Sequence, residues 1–281
     1  MKPPPFLYAR PRSVEEALAL LARHGDESKV LAGGQSLIPL LNFRLARPSV
    51  LIDLGRLEGL DTITEDAGLL RIGAMVRQRH VEQSPLVARS CPLLIKALRH
   101  VGHVQIRNRG TVGGSMAHAD PAAELPTVAL ALGAEMEVIG PRGRRTIAAR
   151  EFFDGPFMTT LQPDELLVSV AFPSTAGRRT AFVEISRRAG DFAMAGVAAV
   201  LAGDGTVTEV SLAALGVGPS ATKLAAAEDA IRGRSLDPPV LRDAANAAAR
   251  EVNPFDDVHA DAEYRREAVG VLVARALLRA S

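Results

Sequence analysis

Val30-Leu31-Ala32-Gly33-Gly34-Gln35-Ser36-Leu37 is the stretch from which the rest of the chain is read. Residues 29–32 have the composition of a short buried strand, and the paired glycines end it. Ser36 then opens a short helix running to residue 44, with Pro39 tolerated near its start. A strand that turns through Gly-Gly into a helix start presents backbone N–H groups lacking helical partners, and such a turn favours an anion. A second stretch, Thr111-Val112-Gly113-Gly114-Ser115, repeats the same chemistry. Ser36, Thr111 and Ser115 add hydroxyl donors. A hydrogen bond to a charged group contributes about 1.5–3 kcal/mol, so two such loops suffice for a pyrophosphate without any lysine. Neither stretch is a G-x-G-x-x-G or a G-x-x-x-x-G-K-[ST], which disfavours a nicotinamide Rossmann domain and an NTPase. The alternative for each is a tight turn with no ligand.

Outward from these loops, the first 55 residues read as a small βαβ-like unit. Strands are expected at 6–8, 29–32 and 50–53, with a helix opened by Ser13 and Glu16 as a capping box and stopped at Gly25. Residues 56–176 read as paired strands (62–64 and 69–73), helices (76–83 and 92–101) and a glycine-punctuated loop (106–121). A helix (124–132), a hairpin (135–139 and 144–148) and a strand (165–172) complete that part. Pro173-Ser174-Thr175-Ala176-Gly177 is the best linker, so the chain divides near residue 176. Residues 177–281 then give three strands (180–186, 195–202, 207–215) and three helices (224–231, 240–253, 262–278). The antiparallel hairpins argue for an α+β fold rather than an extended parallel sheet.

The 281 residues are 47% apolar and 23% charged, as in an ordinary globular protein. A net charge of +1 leaves no electrostatic footprint for nucleic acid or an anionic membrane. No apolar run approaches the roughly 18 residues of a membrane span. The start, Met1-Lys2-Pro3-Pro4-Pro5, lacks a signal-peptide apolar core. The single cysteine, Cys91, excludes an internal disulfide and any zinc–thiolate or iron–sulfur centre held by this chain alone. A cytoplasmic location is the expectation. Several residues read as structural rather than functional. His100 and His103 read as a solvated or capping pair, Cys91 as a buried inert thiol, and Asp256, Asp257 and His259 as a capping loop. His118 reads as a loop-surface residue and Asp120 as a loop-fixing acid. For Arg107 and Arg109, plain solvated charge and attraction of a phosphate or partner stand as equals.

Three stretches together resemble the FAD-binding medium subunit of molybdenum hydroxylases, the family of xanthine dehydrogenases and aerobic carbon monoxide dehydrogenases. They are Val30 to Leu37, Gln105-Ile106-Arg107-Asn108-Arg109-Gly110 leading into Thr111 to Ser115, and Ala119-Asp120-Pro121-Ala122-Ala123-Glu124-Leu125-Pro126. The resemblance extends through Arg187-Arg188-Ala189-Gly190-Asp191-Phe192-Ala193 to the end. It implies an FAD domain of the vanillyl-alcohol-oxidase type, built from two subdomains and followed by a three-stranded antiparallel sheet packed on a three-helix bundle. It implies that both glycine loops grip the FAD pyrophosphate and that Glu124, where relatives usually carry Asp, touches the cofactor. Leu167 would pack on the adenine or flavin. Phe192 would lie by the isoalloxazine without the hydroxyl of the more frequent Tyr. Gln35, where carbon monoxide enzymes commonly have His, weakens carbon monoxide as the substrate.

The function implied is electron transfer. A large subunit would carry molybdopterin and a small one two [2Fe–2S] clusters, in a dimer of heterotrimers. Electrons would pass through FAD on this chain to NAD, a quinone or dioxygen. The rivals are a self-sufficient flavin oxidase or reductase, for which no acid–base pair is evident, and a non-catalytic dinucleotide-binding module.

Overall fold

The computed structural model describes residues 2–280. In the first unit, Leu7–Ala9 and Ser28–Leu31 flank Val50–Asp53 in a parallel three-stranded sheet. Helix Val14–His24 starts where the Ser13 side chain accepts the Glu16 N–H, and it buries Ala17 and Leu21 against Val50 and Ile52. The apolar spacing that marks a helix thus also sets the face it buries.

The second unit is a five-stranded antiparallel sheet in the order Ile63–Asp66, Leu69–Gly73, Leu166–Pro173, Glu135–Gly140, Gly143–Ala148. Its central strand is apolar almost throughout because it serves two cores. Leu166 and Val168 pack with the first unit, while Leu167, Val170 and Phe172 face the main core. A register shift between Leu167 and Ser169 accommodates both.

The third unit is antiparallel: Arg179–Ser186, Ala193–Ala202, Glu209–Leu215 and Thr222–Lys223, packed on helices Ala225–Ile231, Pro238–Glu251 and Ala262–Ala280. Strand Ala193–Ala202 contains the longest apolar run in the sequence because both of its faces are covered. Ala195, Val197, Ala199 and Leu201 meet the helices, and Ala198 and Val200 join the main core. The buried Arg265 fastens one end of this unit. Its guanidinium donates to the carbonyls of Met194 and Gly216 and pairs with Asp257 at 2.7 Å. Asp257 also accepts the N–H groups of His259 and Ala260, and Asp256 that of Ala262, so this segment is a capping loop.

Several elements differ from the sequence expectation. The C-terminal sheet has a fourth strand of two residues, too short to show any periodicity. A helix at Pro85–Ser90 is capped by Ser84, and the preceding helix starts at Gln78 rather than residue 76. Segment 106–121 is not an open loop. It contains helix Val104–Arg107 in part and helix Val112–His118 whole. Glycine disfavours a helix interior by about 1 kcal/mol. Here tertiary anchors offset that cost, because Val112 N–H donates to Val76 O and Gly113 N–H to Ala74 O.

Candidate functional site

The two glycine motifs meet in space through backbone contact. A Cβ placed on Gly33 would lie 2.5 Å from Arg109 O and 2.8 Å from Gly110 Cα. One placed on Gly114 would lie 3.4 Å from Ala32 Cβ. Gly34 occupies φ +75°, a left-handed conformation that other residues resist. The result is a cleft of about 650 Å³, within the usual range for a small-molecule site. Leu31 to Gln35 form one wall, continued by Ile38 and Pro39. Asp53, Gly55 and Arg10 lie at one side, with Arg77, Ile106 and Arg109 completing the lining.

The backbone donors of the two motifs are in opposite states. The N–H groups of Gly33, Gly34, Gln35, Ser36 and Leu37 meet no acceptor among the described residues. Nor does the Ser36 hydroxyl cap the helix that follows. In the second motif four of the five amides are engaged. Val112 and Gly113 bond to the preceding strand end, Gly114 N–H donates to Thr111 Oγ1 at 3.0 Å, and Ser115 N–H donates to Thr111 O. The sequence suggested two equivalent cradles of free amides. The structure provides one, with the second motif a capped helix start packed against it.

The charges of the cleft are unevenly matched. Asp53 accepts from the Tyr8 hydroxyl and from Gly55 N–H (2.8 Å), and its carboxylate lies 3.6 Å from Arg10 Nε. The bond to Asp53 pushes the Tyr8 hydroxyl above its ordinary pKa. Arg77 donates to the Arg109 carbonyl. Burial, and then the facing Arg109 charge, hold Arg77 below its ordinary value, while Asp53 acts in the opposite sense. Arg109 has no carboxylate partner among the described residues. Sequence reading did not single out Arg10, Asp53 or Arg77, because the cleft draws them from three separated segments and no motif joins them.

The other expected site residues are not among those lining this cleft. Val30 is in the strand behind the turn. Leu37 opens the following helix. Val112, Gly113 and Leu167 are buried, and Val112 and Leu167 belong to the main core. Asp120 Oδ1 accepts Ala122 N–H at 2.9 Å, which fixes its loop. Glu124 is buried at the start of helix Glu124–Leu132. Burial and then the Glu184 charge push its carboxyl up to about 8. Glu184 in turn lies 3.3 Å from His100 Nδ1. Phe192 is 66% exposed, on the hairpin where Gly190 abuts the His103 ring. His118 contacts Phe157 ring to ring at 5.1 Å. Arg107 is not a free surface charge, for it bonds Glu82 and the carbonyls of Val101 and Gly102. Cys91 is fully buried, and burial pushes its thiol up to about 12.

An amide-lined cleft between the first two units suits a phosphate-bearing ligand, and comparison with known proteins specifies which kind. Residues 4–175 match the family described as the FAD binding domain in molybdopterin dehydrogenase, and residues 180–280 match the CO dehydrogenase flavoprotein C-terminal domain. The chain is 43% identical to the nicotine 6-hydroxylase medium subunit of Paenarthrobacter nicotinovorans, covering 100% of this chain and 99% of that one. It is 38% identical to the carbon monoxide dehydrogenase medium chain of Hydrogenophaga pseudoflava, over 99% and 97% of the two chains. A solved carbon monoxide dehydrogenase structure from that organism superposes with a TM-score of 0.98 at 40% identity, covering 100% of this chain and 98% of that one. Quinoline 2-oxidoreductase from Pseudomonas putida 86 superposes at 0.95 and 38% identity, again over 100% and 98%. The chain belongs to the FAD-binding medium subunits of the molybdenum hydroxylases, an oxidoreductase family, and FAD is its cofactor. The cleft fits that cofactor, since the free amides of the lining residues Gly33, Gly34 and Gln35 suit a diphosphate and the glycine turn lets it approach the backbone.

Proposed function

We propose that this chain holds FAD with its diphosphate against Gly33 to Leu37 and relays electrons from a partner's [2Fe–2S] clusters to an external acceptor. The observation that carries this reading is the run of unpaired amides from Gly33 on, of which those of Gly33, Gly34 and Gln35 belong to residues lining the cleft. When bound, FAD supplies the electron-accepting and electron-releasing chemistry. The chain's own residues bind and orient. The Gly33 to Leu37 amides and the Ser36 hydroxyl fix the phosphate end, and Glu124 and Asp120 shape the segment after the second motif. Phe192, apolar and exposed, offers a ring to the isoalloxazine. Asp53, the carboxylate that lines the cleft, is engaged by Tyr8, Arg10 and Gly55 and is not available as a general base. That favours an electron relay over a self-sufficient oxidase.

On this reading the first two units form a cofactor domain of the vanillyl-alcohol-oxidase type. A molybdopterin large subunit oxidises the substrate, and a small subunit carries the clusters, in a dimer of heterotrimers. NAD, a quinone or dioxygen takes the electrons. The lone, buried thiol suits a reducing compartment, the cytoplasm. No helix among the described residues is long and apolar enough to cross a membrane.

The test is stopped-flow absorbance of the flavin with the relatives' substrates nicotine, quinoline and carbon monoxide. The isolated chain should bind one FAD non-covalently and stay oxidised. The assembly purified with its two partner chains should bleach with at least one substrate. Equal bleaching by the isolated chain would overturn the relay reading.

A further inference from the structure

We propose that Arg77 and Arg109 complete the diphosphate site begun by the first glycine turn and select the dinucleotide over a flavin without phosphate. The proposal rests on the reading of this chain as an FAD subunit. Three observations converge on it.

First, the groups are contiguous. The Arg109 carbonyl abuts the Gly33 Cα and also accepts the Arg77 guanidinium, so the turn, the Arg109 backbone and the Arg77 side chain form one continuous wall. Second, the two positive charges are poorly compensated. Both side chains line the same cleft, and Arg109 has no carboxylate partner among the described residues. Asp53, the acid of that cleft, already holds Tyr8, Arg10 and the Gly55 amide. Two guanidiniums beside the unpaired amides of Gly33, Gly34 and Gln35, with Asp53 already engaged, leave this wall predominantly positive, and its complement is a multiply charged anion. A diphosphate supplies that charge, and planar guanidinium forks match its oxygens. Third, the second glycine motif has little backbone left to supply further donors, because the amides of Val112, Gly113, Gly114 and Ser115 are engaged inside the protein.

A bland alternative is that both arginines are solvated surface charges. Such residues would not face each other in a cleft with one of them half-buried.

The test uses the deflavinated full-length chain titrated calorimetrically with FAD and with riboflavin, at low and high sodium chloride. Arg77→Met and Arg109→Gln should each weaken FAD about ten- to a hundredfold. They should flatten its salt dependence and change riboflavin affinity by less than about twofold. Arg109→Gln removes a guanidinium that bonds nothing among the described residues, so it keeps the test valid should Arg77→Met fail to fold. FAD binding by Arg109→Gln as tight as native would overturn the proposal and leave the FAD reading standing. Equal weakening of FAD and riboflavin would also overturn it, because the arginines would then act on the flavin or through the fold. Failure of the native chain to bind FAD at all would overturn the FAD reading itself, and the proposal with it.

Discussion

Gly33→Ala is the sharpest perturbation of the cleft. The added Cβ would stand 2.5 Å from Arg109 O, 2.8 Å from Gly110 Cα and 3.1 Å from Arg109 C. All three are backbone atoms, so no side-chain rotation relieves the clash. Non-bonded carbon contacts settle near 3.5–4.0 Å, so the turn must move away from residues 109–110 by about 1 Å. Overpacking of this kind costs about 1–3 kcal/mol of stability. The larger effect falls on binding. The displaced carbonyl is the one that holds Arg77, so amides and guanidinium lose their common register. A misplacement of about 1 Å in a positioned site costs on the order of a hundredfold. Gly133→Ala is the control. Its φ of +63° gives it a similar conformational cost, about 1–2 kcal/mol, yet nothing lies within 4 Å of its Cβ. The assays are flavin content per chain, calorimetric FAD affinity and urea unfolding on both variants. Gly33→Ala should lose flavin while Gly133→Ala keeps it, with both folded. If Gly33→Ala retained FAD as tightly as Gly133→Ala, the docking of the two motifs would not govern the site.

Three further outcomes follow from the buried groups. Glu124 is held well above the ordinary 4.5, at about 8, by burial and then by Glu184. The stability linked to its neutral form is therefore complete below about 4.5 and is lost as pH rises through about 8. Glu124→Gln should flatten that decline in urea titrations across the interval, and an unchanged slope would rule out Glu124 as its source. Arg265→Met should cost about 3 kcal/mol in urea unfolding, since it removes the partner of Asp257 and the donor to Met194 and Gly216. A cost below about 1 kcal/mol would mean that the loop 254–261 is anchored otherwise. Cys91, buried with its thiol raised to about 12, should react with a thiol reagent only at the rate of unfolding. Rapid labelling in native buffer would contradict its burial.

Elements with strong periodicity or caps were legible in the sequence. Ser13 and Glu16 located the first helix, and the apolar strands around residues 50 and 170 came from composition alone. The errors fall where tertiary bonds override local preference. A sequence with glycine at 110, 113 and 114 reads as a loop, yet Thr111 caps a helix there because Ala74 and Val76 hold its first amides. A strand of two residues, Thr222–Lys223, exists because Ala213 and Ala214 pair with it. Neither fact is local. Leu166, Leu167 and Val168 show the same limit on a finer scale. All three are apolar and buried, and only the register of the strand decides which of two cores each one enters.

The site shows why composition identifies donors without revealing which of them are free. Both glycine motifs carry hydroxyl neighbours and flexible backbone, and by residue type they are equivalent. Folding makes them complementary instead. The second motif engages its amides to lock itself against residues 74–76, and thereby gives Gly33 a backbone surface on which to pack. The first motif has no backbone acceptor of its own among the described residues, and Gly33, Gly34 and Gln35 of it line the cleft. Buried or half-buried amides without partners are costly, so a turn that keeps those of Gly33, Gly34 and Gln35 together suits an acceptor that comes from outside. The same reasoning applies to the facing guanidiniums of Arg77 and Arg109, whose mutual repulsion an arriving anion would relieve. Binding strength in this cleft therefore comes from groups that the fold holds unsatisfied, and the Gly33 contact matters because it keeps them in one place.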